Sequence, residues 1–249
     1  MAQPSGGLES WALWAGTVGM AAGTLYFLWQ GRSVRDPRHR KYYVITTFIP
    51  AVAAASYFAM ATGFGVITVE VSGGMGTTKV YWARYADWLI TTPLLLLDLC
   101  LLAGADRNTI YTLLGLDVFM IGTGLVGALA TRGQVYRIAW WAISTGALLV
   151  LLYYLLGTLG EQAASRSADV AALFEQLRSL TLVLWVVYPV VWLFGTEGGL
   201  EIIPIGVETA AFAALDLTAK VGFGVLLLRS RTVLAAASAG GEGTAAGGD

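Results

Sequence analysis

Lys220 stands in an apolar run, 202–228, long enough to cross a bilayer, and Asp216 precedes it by one helical turn. A charged amine at membrane depth is costly and demands a partner. Side chains four residues apart share a helix face, so Asp216 can reach Lys220. A lysine amine also condenses with an aldehyde to give a Schiff base. With the acidic residues of segment 82–103, this pair points to an enclosed covalent chromophore.

Segment 84–98 carries the rest of the chemistry. Arg84, Asp87 and Thr91 recur at i, i+3 and i+7, which places them on one helix face. Asp98 follows Asp87 after close to three full turns and returns to that face about 16 Å along the axis. Asp87, beside Arg84, is expected to be ionised, because an adjacent cation favours the charged form. Asp98 follows four leucines, and burial there should keep it protonated. One carboxyl is therefore suited to accept a proton and the other to donate one. The alternative is a pair that serves only helix–helix hydrogen bonds, but carboxylates at membrane depth mark transport paths by default.

Such groups need a membrane scaffold, and the composition supplies one. The chain has 249 residues, 57% hydrophobic and only 12% charged. Soluble domains carry about twice that charged fraction. A formal net charge of −1 leaves no basic face for nucleic acid. Cys100 is the only cysteine and lies in an apolar segment, so it carries no redox or metal message. His39 is the only histidine, which argues against a histidine dyad or a multi-histidine metal site, and no metal centre is expected.

Seven spans of roughly 20 apolar residues are predicted, at about 9–30, 43–65, 82–103, 108–130, 135–160, 177–195 and 204–229. The first apolar stretch is too long for a signal peptide and lacks a basic leader. Between the spans lie a basic loop at 31–41, a Gly-containing loop at 68–80, a polar loop at 161–177 and an acidic turn at 195–201. Arg32, Arg35, Arg38, Arg40, Lys41, Arg107, Arg166, Arg178, Arg229 and Arg231 fall on one side, against Lys79, Arg132 and Arg137 on the other. The positive-inside rule puts the first group in the cytoplasm. The expected fold is an all-α membrane protein, a seven-transmembrane-helix bundle in the cell membrane, with the N-terminus extracellular and the C-terminus cytoplasmic. Residues 1–8 form an extracellular tail, 9–231 the bundle, and 232–249 a disordered cytoplasmic tail, Gly/Ala-rich in composition.

Several features have plain explanations. Pro50, Pro93 and Pro189 fall inside spans, where neighbouring groups can satisfy the freed carbonyls. Gly122, Gly124 and Gly127 match a dinucleotide fingerprint, but the pattern needs a strand-to-helix turn and here lies in a span. Close helix packing through small residues explains it better. Asp117 is expected to be a protonated hydrogen-bonding group, Glu201 a solvated loop charge. Thr46 either steadies Asp98 or back-bonds to its own helix.

The stretch 84–98, together with Trp185-Val-Val-Tyr188-Pro189 and Asp216-Leu-Thr-Ala-Lys220-Val-Gly-Phe-Gly, resembles the archaeal bacteriorhodopsin family, and within it the haloarchaeal light-driven proton pumps. The resemblance covers about 9–231. It implies all-trans retinal as a protonated Schiff base on Lys220, with Asp87 and Asp216 as counterions. It also implies Asp87 as proton acceptor and Asp98 as donor. Arg84, Glu197 and Glu208, with Tyr85 and Tyr57, would form the extracellular release group. Trp88, Thr92, Met120, Trp141, Trp185, Tyr188 and Trp192 would box the chromophore, with Thr91 beside the Schiff base. The protein would then be a transporter and not an enzyme. Membrane lipids would surround it, a homotrimer would be its usual assembly, and a carotenoid is a permitted companion. A sensory photoreceptor of the same fold is the alternative; sensors of the family usually lack a carboxylic donor at position 98. An anion pump would need a neutral residue at position 87.

Overall fold

The computed structural model describes residues 6–73, 76–230, 232–234 and 237. Among them seven helical spans are long and apolar enough to cross a membrane. They are α1 Gly7–Gly31, α2 Pro37–Ala61, α3 Trp82–Ala103, α4 Arg107–Leu129, α5 Gln134–Leu156 with its short continuation α6 Thr158–Ala164, α7 Ala168–Phe194, and α8 Ile205–Leu217. The last span continues through a π-helical turn, Thr218–Gly222, into α9 Phe223–Arg229. A 25-residue helix is about 38 Å long, enough for the hydrocarbon core with some tilt.

Helices adjacent in sequence pack side by side, and α1 closes the ring against α8. The third span also touches α7 across the bundle. It and the last span are the most enclosed. The polarity is inverted relative to a soluble protein. Trp11, Val18, Val135, Tyr153 and Val183 are exposed on the outside, whereas Arg84, Asp87, Asp98, Asp117, Asp216 and Lys220 are buried. Backbone groups are satisfied within each helix, as hydrocarbon requires. The chain is a multi-pass membrane protein.

Sequence signals at the helix ends are realised locally. Asp36 caps α2 by accepting from the Arg38 N–H at 2.9 Å, with Pro37 in the first turn. Asp106 caps α4, accepting from the Thr109 N–H and hydroxyl at 3.0 and 2.6 Å. These bonds hold its carboxyl down to about 2. Gly104 ends α3 at φ 69°, a left-handed position that suits glycine.

The structure departs from the sequence expectation in several places. The sixth span starts at Ala168, nine residues before the predicted 177, so much of the supposed polar loop 161–177 is helical. Val170, Leu173, Phe174 and Leu177 are buried at helical spacing, so this first part of α7 is amphipathic and lacks the uniform apolarity that marks a span. The loop 68–80 holds an antiparallel hairpin, β1 Ile67–Val71 and β2 Gly76–Val80, with Ile67 opposite Val80. The hairpin is a connection between α2 and α3, and every span is helical. The tail is not irregular from residue 232: Thr232 to Leu234 are helical and Leu234 is buried in the main core, as is Ala237. The rest of the expected disordered tail, and residues 1–5 of the N-terminal one, lie outside the described residues. Finally, the last span is interrupted by the π-turn around Lys220.

Close helix approach explains some of the glycines. A Cβ at Gly127 would lie 3.1 Å from Trp140 Cβ and one at Gly124 3.4 Å from Ser144 Oγ, whereas Gly122 meets nothing within 4 Å. A Cβ at Gly224 would lie 2.6 Å from both Phe27 Cζ and Thr46 Cγ2. Gly224→Ala should therefore overpack the α1–α2–α9 contact and cost about 1–3 kcal/mol. The check is a lower thermal unfolding midpoint in detergent; an unchanged midpoint would show that the contact yields freely.

Candidate functional site

The amine of Lys220 is wholly enclosed and lies 2.5 Å from Asp87 Oδ2 and 3.0 Å from Asp216 Oδ1. Asp216 comes from the same span one turn earlier, and Asp87 from α3 across the bundle. Tyr57 donates to Asp216 Oδ2 at 2.7 Å, while Tyr188 and Trp88 donate to Oδ1 at 2.9 and 3.1 Å. Asp216 is thus fixed by three helices besides its own. Among the described residues Asp87 Oδ1 has no hydrogen-bond partner. Thr91 is buried and spends its hydroxyl on the Asp87 main-chain carbonyl at 2.9 Å.

An apolar cavity opens from this amine into the bundle. All seven residues expected to box a chromophore line it: Trp88, Thr92, Met120, Trp141, Trp185, Tyr188 and Trp192. Ile121, Leu148 and Gly124 complete its apolar wall. The aromatic groups are oriented by bonds of their own. Trp141 Nε1 donates to the Pro189 carbonyl at 2.9 Å, tying α5 to α7, and Trp192 Nε1 donates to the Tyr85 hydroxyl at 2.5 Å.

Two further carboxyls lie apart from the amine. Asp98 is fully buried, and Thr46 donates to its Oδ2 at 3.0 Å, so the threonine steadies the acid across the α2–α3 contact. Asp117 accepts from Thr92 at 2.7 Å, linking α4 to α3 beside the cavity, in keeping with its expected hydrogen-bonding character.

At the hairpin end, Arg84 points away from Asp87. Its Nη1 is 3.6 Å from Glu197 Oε1, and its guanidinium stacks between Tyr81 and Phe212 at 4.7 and 4.3 Å. The cation bonded to Asp87 is therefore Lys220, not Arg84 as the helix spacing suggested. The spacing fixed a face but not the direction in which a long side chain extends along it. Glu197 is buried and accepts from the Tyr81 N–H at 2.9 Å and from the Tyr85 hydroxyl. Glu208 is buried and accepts from the Thr196 N–H at 2.8 Å. Tyr57, expected with these glutamates, lies within electrostatic range of Arg84 and donates its hydroxyl to Asp216, because it faces α8 from α2. Glu201 is exposed, as a loop charge should be.

Residues 7–234 match the model of the family described as bacteriorhodopsin-like protein. The chain belongs to the bacteriorhodopsin-like family. It is 64% identical over 228 residues to the bacteriorhodopsin of Haloterrigena sp., covering 92% of this chain and 90% of the relative. It is 52% identical over 238 residues to that of Halobacterium salinarum, covering 94% and 89%. The thermophilic rhodopsin of Rubrobacter xylanophilus, 45% identical, superposes with a TM-score of 0.86 over 93% of this chain and 99% of that one.

Two charges of this bacteriorhodopsin-like chain are buried against expectation: Glu9, and Arg137, which reads from the sequence as a flanking charge. Glu9 is enclosed at the hairpin end, bonded to Lys79 Nζ at 3.0 Å and to the Tyr81 hydroxyl. Burial and then this bond push the Tyr81 phenol up. Arg137 is buried too, donating from Nε to the Glu197 main-chain carbonyl at 3.1 Å and from Nη2 to the Ala128 carbonyl. Both lie within predicted spans, and the rule that flagged Asp87 would have flagged them.

Proposed function

We propose that this chain is an outward, light-driven proton pump in which Lys220 carries all-trans retinal as a protonated Schiff base, Asp87 accepts its proton and Asp98 supplies the next. The observation that carries this reading is the amine held between Asp87 and Asp216, with Asp98 set apart beside Thr46. Members of the bacteriorhodopsin-like family bind retinal and are light-driven ion transporters, not enzymes in the usual sense. The cavity fits such a group, being apolar, walled by tryptophans and ending at a single amine. Lys220 would hold it covalently, and Trp88, Trp141, Trp185 and Met120 would enclose it. When bound, retinal supplies light absorption, a light-driven change of shape and a cationic nitrogen at Lys220 Nζ.

The two carboxylates beside that nitrogen divide the work. Asp216 has both oxygens occupied by donors from Tyr57, Tyr188 and Trp88, so it stays a fixed anion. Asp87 keeps Oδ1 without a partner among the described residues and takes the proton from Lys220 Nζ at its other oxygen. Arg84, Glu197, Glu208 and Tyr85 then pass a proton to the outside; the positive-inside rule supports that orientation. Asp98 returns a proton from the cytoplasmic side. Leu95 and Leu96, both buried on α3, exclude water between the two acids and oppose a leak. A carboxylate at position 87 leaves no role for chloride as the missing charge, which disfavours an anion pump.

The test is illumination of cells or vesicles with a pH electrode, with and without a protonophore, and with sulfate in place of chloride. Light should acidify the outside of cells, the protonophore should abolish the change, and sulfate should leave it intact. A chloride-dependent alkalinisation would overturn the proposal. Asp98→Asn should slow refilling of the nitrogen by about 10²-fold or more and make it follow external pH, since a positioned proton donor contributes at least that factor. Flash spectroscopy of the variant checks this, and an unchanged cycle would remove Asp98 from the donor role.

A further inference from the structure

Tyr42 is fully buried on α2, and among the described residues its hydroxyl has no hydrogen-bond partner. It lies one helical turn from Thr46, on the same face, and Thr46 holds Asp98 at 3.0 Å. Asp98 Oδ1 also lacks a partner among the described residues. The Tyr42 hydroxyl lies within electrostatic range of the Asp98 carboxyl and of Arg166, which comes from the turn between α6 and α7. Arg166 packs on Gly104 at the end of α3 and donates to the Ala237 carbonyl at 2.6 Å. Lys41 Nζ covers the Tyr42 ring at 5.4 Å from its centroid. The hydroxyl is thus within reach of both Asp98 and a basic surface, and Tyr42 belongs to a buried cluster that includes Leu99, Leu102, Leu227 and Leu234.

Buried polar atoms left without protein partners are satisfied by water when two or more of them converge. A phenol in this place serves no packing purpose that phenylalanine would not serve. We propose that Tyr42 is a positioning residue for proton entry: its hydroxyl and Asp98 Oδ1 share water that carries protons from the surface around Arg166 and Lys41 to Asp98. The proposal rests on Asp98 as the internal donor. It adds that the donor is reloaded through a built polar step and does not wait for water to breach an apolar plug.

The test compares wild type, Tyr42→Phe and Asp98→Asn, each reconstituted with retinal and shown to fold by its visible absorption. Proton uptake from the cytoplasmic side is timed with a pH-indicator dye, and the infrared C=O band of the Asp98 carboxyl is recorded. Tyr42→Phe should slow uptake by about tenfold, the factor that one lost hydrogen bond in a barrier gives. It should also move the Asp98 band to higher frequency while leaving proton transfer to Asp87 unchanged. An unchanged uptake rate or an unchanged band in Tyr42→Phe, with refilling slowed in Asp98→Asn, overturns the relay alone. Normal refilling in Asp98→Asn overturns the donor assignment and the relay with it.

Discussion

Lys220→Ala yields a protein that stays colourless in visible light when retinal is added, because among the described residues no other amine lines the cavity. The variant also strands Asp87 and Asp216, two buried carboxylates that share this cation at 2.5 and 3.0 Å. Removing one partner from a buried pair costs about 3–5 kcal/mol unless the survivors are neutralised. The variant should therefore be less stable at neutral pH than wild type reconstituted with retinal. Absorption spectroscopy after reconstitution reads the first effect and thermal unfolding the second. A normally coloured Lys220→Ala protein, without added amine, would refute the attachment site.

Asp87→Asn removes the proposed acceptor while keeping the shape of the side chain. Light-driven acidification should fall to the level of the protonophore control. The absorption maximum should move to longer wavelength, because a nearby anion localises positive charge on the nitrogen and raises the excitation energy. The effect is specific to this carboxylate: Asp216 has its oxygens taken by three donors and cannot readily substitute. Continued acidification by Asp87→Asn would contradict the assignment, and so would an unshifted spectrum.

The spans were readable because a helix in hydrocarbon must be apolar over its whole length, and the same condition made Asp87, Asp98, Asp216 and Lys220 conspicuous. The eight residues expected at the amine and around it do converge on one cavity. What escaped was structure that obeys other rules. The first turns of α7 bury only one stripe, Val170, Leu173, Phe174 and Leu177, and hydropathy averages such a stripe away. The hairpin 67–80 has five-residue strands whose pairing depends on contacts far along the chain, including a Ser72 N–H bonded to the Thr131 carbonyl at 2.8 Å. Spacing gave Arg84 and Asp87 a common face, but the arginine's length lets it prefer Glu197. Tyr57 keeps within electrostatic range of Arg84, but its hydroxyl donates to Asp216, a partner on a neighbouring helix that spacing along α2 does not reveal.

The π-turn at Thr218–Gly222 gives the last span one residue more than regular winding would hold, and Lys220 sits in the middle of it. A surplus residue in a helix behaves like a dislocation in a crystal. It shifts by exchanging one backbone bond at a time, so a push on Lys220 need not break the rod. Recoil at that lysine can then reach α9 as a small axial slip, while Asp216 stays anchored one turn away.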